Sequence, residues 1–180
     1  MHRVVLLLGS NIDKEHNLPR AVALLDELTT VIAVSSIYES APQGLKEQPS
    51  FFNAAVTIET ELTAFQIKQS LIDTIERELR RVRTADKNAP RTIDLDIVLY
   101  DDAVFTYSGA DGRLRFVPDP DLERFVHVAV PVAELLPDSV HPVTGQSLAE
   151  LAETLLAAAA QAGEPPLHKR VEFDLAERQR

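Results

Sequence analysis

Apolar positions along the chain change their period several times, and each change marks an element. Residues 3 to 8 hold a short apolar run, unbroken from Val4 to Leu8, the pattern of a strand buried on both faces. Gly9, Ser10 and Asn11 then turn into a stretch where Leu18, Ala21, Val22, Leu25 and Leu28 recur at helical spacing. Pro19 is expected in that helix's first turn, with Asn17 as N-cap, because a proline deeper inside removes a backbone hydrogen bond. Residues 31 to 39 are β-rich, and "SAPQGLKEQPS" (40–50), with two prolines and a glycine, reads as a long loop.

Strict alternation resumes in "FFNAAVTIET" (51–60), with Phe52, Ala54, Val56 and Ile58 on one face and Phe51, Asn53, Ala55 and Thr57 on the other. Thr63 and Gln66 form a capping-box pattern, and Ile67, Leu71, Ile75, Leu79 and Val82 carry an amphipathic helix to about Arg83. A strand follows over 92–100, then a hairpin over 103–117, a short helix within 126–137, and an Ala-rich helix closed by Gly163. The order β, α, β, β, α, β predicts an α+β fold with a ferredoxin-like βαββαβ sandwich core, a C-terminal hairpin and extra helices. Residues 1–163 are expected as one domain, with 164–180 as a charged arm or disordered tail.

The strand "APRTIDLDIVLY" (89–100) departs from the pattern of a core strand. Asp94 and Asp96 share a face, their Cα atoms roughly 6.5 to 7 Å apart, while Ile93, Leu95, Ile97 and Leu99 take the other. Two carboxylates so placed repel unless arginines or hard cations neutralise them, and Mg²⁺ with phosphate oxygens is the natural partner. The plainer alternative is a half-exposed strand with a solvated outer face.

Charge sharpens the choice. The chain has 18 Lys and Arg against 28 Asp and Glu, a net charge of −10 that disfavours nucleic acid. Between residues 77 and 91 the sign reverses: Arg77, Arg80, Arg81, Arg83, Lys87 and Arg91 face only Glu78 and Asp86. A small positive island leading into paired aspartates suits a nucleotide polyphosphate, although a solvated helix face explains any one arginine equally well. No P-loop, no dinucleotide-binding glycine motif and no nucleophile elbow occurs. With no cysteine, disulfides and thiolate chemistry are excluded, which fits a cytoplasmic protein. Residues 4 to 8 are too short a run for a signal peptide or a membrane span.

"LLLGSN", "NLPRAVALL", "SSIYESAPQG", "QPSFFNAAVTIET", "IERELRRVR" and "APRTIDLDIVLY", in this order, resemble the 6-hydroxymethyl-7,8-dihydropterin pyrophosphokinases of folate synthesis, closely over residues 4 to 101 and loosely to about 150. The resemblance implies transfer of pyrophosphate from ATP to the pterin hydroxymethyl group, giving AMP, by a monomeric, cytoplasmic, Mg²⁺-dependent enzyme. It implies that Asp94 and Asp96 hold two Mg²⁺ and act with Arg81 and Arg91 in catalysis. Asn53 would bond the pterin edge and Phe51 stack on it, with Ser40, Pro42, Gln43 and His127 completing that pocket. Glu76, Arg81, Arg83, Arg91, Ile97 and Arg124 would line the ATP side, and the loops 40–50 and 84–90 would be lids.

Several positions depart from the family pattern. Asn88 and Ala89 stand where Trp-Gly is usual, Asp119 where a histidine is, Phe125 where an arginine is, and His127 where a second stacking phenylalanine is. Arg113, Arg115 and Arg124 are the candidates to compensate. The competing readings are a non-catalytic ferredoxin-like module that binds a small metabolite, and a phosphotransferase acting on another heterocyclic alcohol.

Overall fold

Strand β1 (His2–Ser10) runs through the centre of the molecule, and its alternation decides which layer each neighbour joins. Val4, Leu6 and Leu8 face one apolar cluster and Val5 and Leu7 another, so the strand is covered on both sides. The computed structural model describes residues 1–44, 46–86 and 88–175; Leu45, Lys87 and 176–180, which fall in the expected lid loops, positive island and arm, lie outside them.

Helix α1 (Lys14–Leu28) packs on the first face, followed by β2 (Thr30–Val34), β3 (Tyr38–Ser40) and the long β4 (Phe51–Thr60). β4 inserts between β1 and the β2/β3 edge, antiparallel to all of them. α2 (Ala64–Gln66), a π-helical stretch (Ile67–Ile72) and α3 (Asp73–Glu78) lead to β5 (Asp94–Tyr100), antiparallel to β1 on its other side. The sheet order β5-β1-β4-β3, with β2 also on β4, is that of a ferredoxin-like split βαβ.

The hairpin β6 (Phe105–Ser108) and β7 (Leu114–Val117) and a 3₁₀ turn (Pro120–Glu123) come next. α4 (Val126–Leu135) and α5 (Leu148–Gln161) then cover the second face of the sheet. Both capping boxes, Thr63 with Gln66 and Ser147 with Glu150, close as reciprocal hydrogen bonds. The chain is tied down well beyond α5: β8 (His168–Lys169) adds to β3, Phe173 packs 5.3 Å from Phe52, and Leu175 is buried in the core. Among the described residues no helix is long and apolar enough to cross a membrane.

Four local readings are corrected. α1 starts behind Asp13, so Pro19 is its sixth residue; Asn17 lies inside the helix, buried, and donates to the Ile12 carbonyl at 2.7 Å. The helix of residues 64–78 is π-helical in its middle, with the extra residue per turn absorbed there. It stops short of Arg83, because Arg80 takes a left-handed conformation (φ 57°) and the Arg81 amide donates to the Glu76 carbonyl at 2.8 Å. Val82 is therefore 70% exposed instead of continuing the apolar stripe.

The fourth correction lies on β5. Leu6 pairs with Ile97 and Val5 with Leu99, so Val98 is an extra residue, a β-bulge. Leu95 and Ile97 pack into the first cluster as expected, but Leu99 is turned into the second, beside Val98.

Candidate active site

Three strands lie side by side at the end of the second sheet face. Gly9 of β1 pairs with Asn53 of β4 on one side and with Asp94 of β5 on the other. A Cβ on Gly9 would meet Asn53 Oδ1 at 3.7 Å and the Phe51 ring at 4.0 Å, so glycine leaves open floor between them. Two strand spacings, roughly 10 Å, separate Asn53 from Asp94, about the span of a small bicyclic ring system. A cavity of about 380 Å³ stands over this floor, walled by Ser40 and Gln43 of the loop, by Phe51, and by Phe125 and His127 at the start of α4.

Asn53 is held by its own sequence neighbourhood. Its Nδ2 donates to the Tyr38 carbonyl at 3.0 Å and to Ser40 Oγ at 2.9 Å, which leaves Oδ1 for the cavity. The Arg91 guanidinium lies 5.6 Å over the Phe51 ring. His127 stacks on Phe125 at 5.3 Å, and burial pushes its imidazole down to about 4, so at neutral pH it is an uncharged, ring-shaped wall.

A second cavity, of about 220 Å³, adjoins the first and differs in chemistry: Arg81, Arg83, Arg113 and Arg115 line it. Arg91, Asp94 and Asp96 line both. The two aspartates are thus the place where an aromatic-walled space meets one lined by arginines.

Arg91 bonds Asp94 at 2.6 Å, and the Arg91 amide donates to Asn11 Oδ1 at 2.8 Å, which fixes the mouth of β5 against β1. Asp96 opens onto the cleft yet is crowded by its walls, and its carboxyl is raised well above the usual range by burial first, then by Asp94, Asp119 and Glu76. Asp119, 23 residues downstream, reaches this place because its amide donates at 2.9 Å to the carbonyl of Val98, the bulged residue. Burial, with Asp121 and Asp94 nearby, raises Asp119 to about 6. Behind the strand, Glu76 is buried; its Oε1 accepts the Leu95 amide at 3.3 Å, Arg83 bonds Oε2 at 2.6 Å, and Lys68 approaches to 3.8 Å.

Among the described residues no three His, Asp or Glu side chains gather as a metal cage. The aspartate pair fits a hard divalent cation of the Mg²⁺ type, which takes one or two carboxylates and completes its shell with water and phosphate oxygens. Its two hard oxygen donors point one way, and the crowding that makes the charge on Asp96 costly is what a cation relieves.

Of the residues expected from sequence, Ser40, Gln43, Phe51, Asn53, Arg91, Asp94, Asp96, Arg124 and His127 line the first cavity, and Arg81 and Arg83 the second. Pro42 instead borders an adjoining hollow of about 330 Å³ with Lys46 and Glu164. Ile97 is 2% exposed in the core, and Glu76 is buried beneath β5; both act behind the site and neither lines these two cavities. The buried Lys68 was not expected there, and Asp119 was singled out only as a departure, where the family usually has a histidine; its place in the cavity wall is what the structure adds.

The family model for 7,8-dihydro-6-hydroxymethylpterin-pyrophosphokinase (HPPK) matches residues 5–137. The chain belongs to the HPPK family. The 2-amino-4-hydroxy-6-hydroxymethyldihydropteridine pyrophosphokinase of Bacillus subtilis is 41% identical over 133 residues, 72% of this chain and 75% of that protein. That of Aquifex aeolicus is 32% identical over 151 residues, 83% and 90%. The folic acid synthesis protein fol1 of Schizosaccharomyces pombe is 37% identical over 153 residues, yet the chain spans only 20% of its length. Among solved structures, wild-type Plasmodium falciparum HPPK-DHPS shares the HPPK fold with a TM-score of 0.70 at 12% identity, over 89% of this chain and 46% of that one.

Proposed function

We propose that the chain transfers the pyrophosphoryl group of ATP to the hydroxymethyl group of 6-hydroxymethyl-7,8-dihydropterin, releasing AMP. The observation that carries this reading is that Asp94 and Asp96 stand at the junction of two cavities, one aromatic-walled with the Asn53 amide fixed at its floor, the other lined by arginines. A flat heterocycle with a hydrogen-bonding edge suits the first, and a triphosphate suits the second. The names of the Bacillus and Aquifex relatives supply the substrate.

In this reading Asn53 Oδ1 takes an N–H of the pterin edge, while Phe51 and the neutral His127 confine the ring. Arg81, Arg83 and Arg91 hold the phosphates, with Arg113 and Arg115 closing the far side of the same cavity. The hydroxymethyl oxygen, delivered over Gly9, bonds the β-phosphorus as the bond to the α-bridging oxygen breaks; holding both in line is the main contribution of the protein. Asp94 and Asp96 would hold two Mg²⁺, which when bound neutralise phosphate charge and activate the phosphorus.

The deciding assay mixes protein, ATP, Mg²⁺ and the pterin and separates AMP from ADP. AMP formed only with the pterin, and lost in Asp96→Asn, supports the reading. ADP would indicate ordinary kinase chemistry, and no turnover a binding module.

A further inference from the structure

The loop of residues 41–50 leaves the sheet at Ser40 and returns at Phe51, both of which line the first cavity. Its two ends are joined behind the sheet. Tyr38, Glu39 and Ser40 pair in register with Asn53, Phe52 and Phe51, so Glu39 and Phe52 point away from the cavity while Ser40 and Phe51 point into it. Glu39 Oε1 accepts from Ser50 Oγ and from Lys14 Nζ at 3.1 Å, and Lys14 also holds the Ser50 carbonyl at 2.9 Å. One carboxylate therefore clamps both ends of the loop to α1.

The other oxygen of that carboxylate belongs to a distant part of the chain. Arg170 Nη1 donates to Glu39 Oε2, and the Arg170 amide donates to the Ile37 carbonyl at 2.8 Å. The guanidinium lies 5.3 Å over Phe52 and 5.5 Å over Phe173, and it pairs with Glu172. Arg170 is 33 residues past the end of the family match, so the contact lies outside the matched region. Hydrogen bonds from three partners outweigh burial and lower Glu39 to about 2.

We propose that Arg170 is a positioning residue for the pterin half of the site: acting through Glu39 from behind the sheet, it fixes the loop that carries Ser40 and Gln43 and the strand start that carries Phe51. The inference rests on the reading of the first cavity as the pterin site. Arg170 touches neither cavity, so its effect falls on the substrate held by the loop and spares the phosphates held by the arginines across the cleft. A half-buried carboxylate that loses the charged partner on Oε2 is held through Oε1 alone and is free to turn, which loosens its grip on Ser50 at the far end of the loop.

The test compares the parent with Arg170→Met, which keeps the stem on Phe52, with Arg170→Lys, which keeps a charge, and with Glu39→Gln. Pterin binding is followed by fluorescence in the presence of Mg²⁺ and a non-hydrolysable ATP analogue, and amide exchange of residues 41–50 is measured on the same proteins without ligand. Arg170→Met is expected to weaken pterin binding roughly tenfold, to change ATP binding less than about twofold, and to speed exchange in 41–50. Arg170→Lys recovers most of the loss, and adding Arg170→Met to Glu39→Gln adds little. Equal loss of ATP and pterin binding, or unchanged loop exchange with only a lower melting temperature, overturns the proposal. A parent that binds no pterin overturns the functional reading, and the exchange data then decide the positioning of the loop by themselves.

Discussion

Arg91 and Asp94 form a 2.6 Å ion pair across three residues of the strand mouth, and both side chains are less than one-fifth exposed or at that limit, at 16% and 20%. Asp94 is thus neutralised within the protein, whereas Asp96, two residues on, has its charge opposed by Asp94, Asp119 and Glu76. The pair is asymmetric before any substrate arrives.

That asymmetry predicts opposite effects on stability and activity at Asp96. Asp96→Asn removes a charge crowded by Asp94, Asp119 and Glu76, so the melting temperature is expected to hold or rise by a few degrees. Turnover is expected to fall at least roughly a hundredfold, as ligand loss at metal sites does. A clear drop in melting temperature would show that the carboxylate is held by partners in the fold and not waiting for a cation.

Asp119 tests the same field from another side. Asn in its place keeps the acceptor for the Asp121 amide, 2.8 Å away, and removes only the charge. Above pH 6 Asp119 carries that charge into the cavity that adjoins the phosphates, so Asp119→Asn is expected to lower the KM for ATP by roughly three- to tenfold at pH 8. An unchanged or higher KM would mean that Asp119 makes no contact with the nucleotide's field.

Behind the strand, Glu76 is the common partner of Lys68, Arg83 and the Leu95 amide. Glu76→Ala leaves the buried Leu95 N–H without its acceptor and Arg83 without its partner, while Lys68 keeps Asp73 at 2.7 Å; it is expected to cost about 1–3 kcal/mol, roughly 5 °C in melting temperature. Glu76→Gln, which keeps an acceptor for Leu95, should cost clearly less. Equal losses in the two would place the stabilisation in packing rather than in the polar network.

Asn53→Ala separates binding from folding on the pterin side. It removes the donor to Tyr38 and Ser40, so both a loss of roughly 1–3 kcal/mol in stability and a rise in the pterin KM are expected, with the ATP KM unchanged. A matching rise in the ATP KM would argue against two separate half-sites.

Glu39 gives a pH signature. Its folded carboxyl is lowered from 4.5 to about 2, so its ionised form stabilises the fold at every pH above about 4.5, and that contribution fades as pH falls toward 2. Glu39→Gln should therefore melt below the parent at pH 7, with the gap narrowing between pH 4.5 and 3. A gap that stays constant over that range would remove the carboxylate charge from the account.

What the sequence disclosed follows from range. The facing of Asp94, Asp96 and Asn53 was legible because a strand's period of two fixes which residues share a face, and the Thr63–Gln66 capping box because it closes over three residues. The stop at Arg80 was not legible, since a left-handed arginine is chosen by the chain it must redirect and carries no glycine to announce it. For Asp119 the sequence showed the departure but not the contact, because a bulge brings it to the site, and Arg170 was missed because 131 residues separate it from Glu39. Pro19 was misplaced because buried packing of Leu18, Ala21 and Val22 outweighs the one backbone bond it forgoes.

The bulge at Val98 works as a change of reading frame within one strand. Upstream of it, odd positions go to the core and even ones to the cleft; downstream, the parity is inverted, so that Leu99 serves the layer of α4 and α5 while Tyr100 returns to the first core. Forcing regular alternation on the strand with Val98 kept would turn Leu99 and Tyr100 into the wrong layers. Deleting Val98 would leave every other side chain on its present side and remove only its place in the second cluster and the carbonyl that accepts the Asp119 amide. The extra residue gives the strand one more carbonyl, and with it a hook that holds Asp119 against the cleft while both halves of the strand keep their layers.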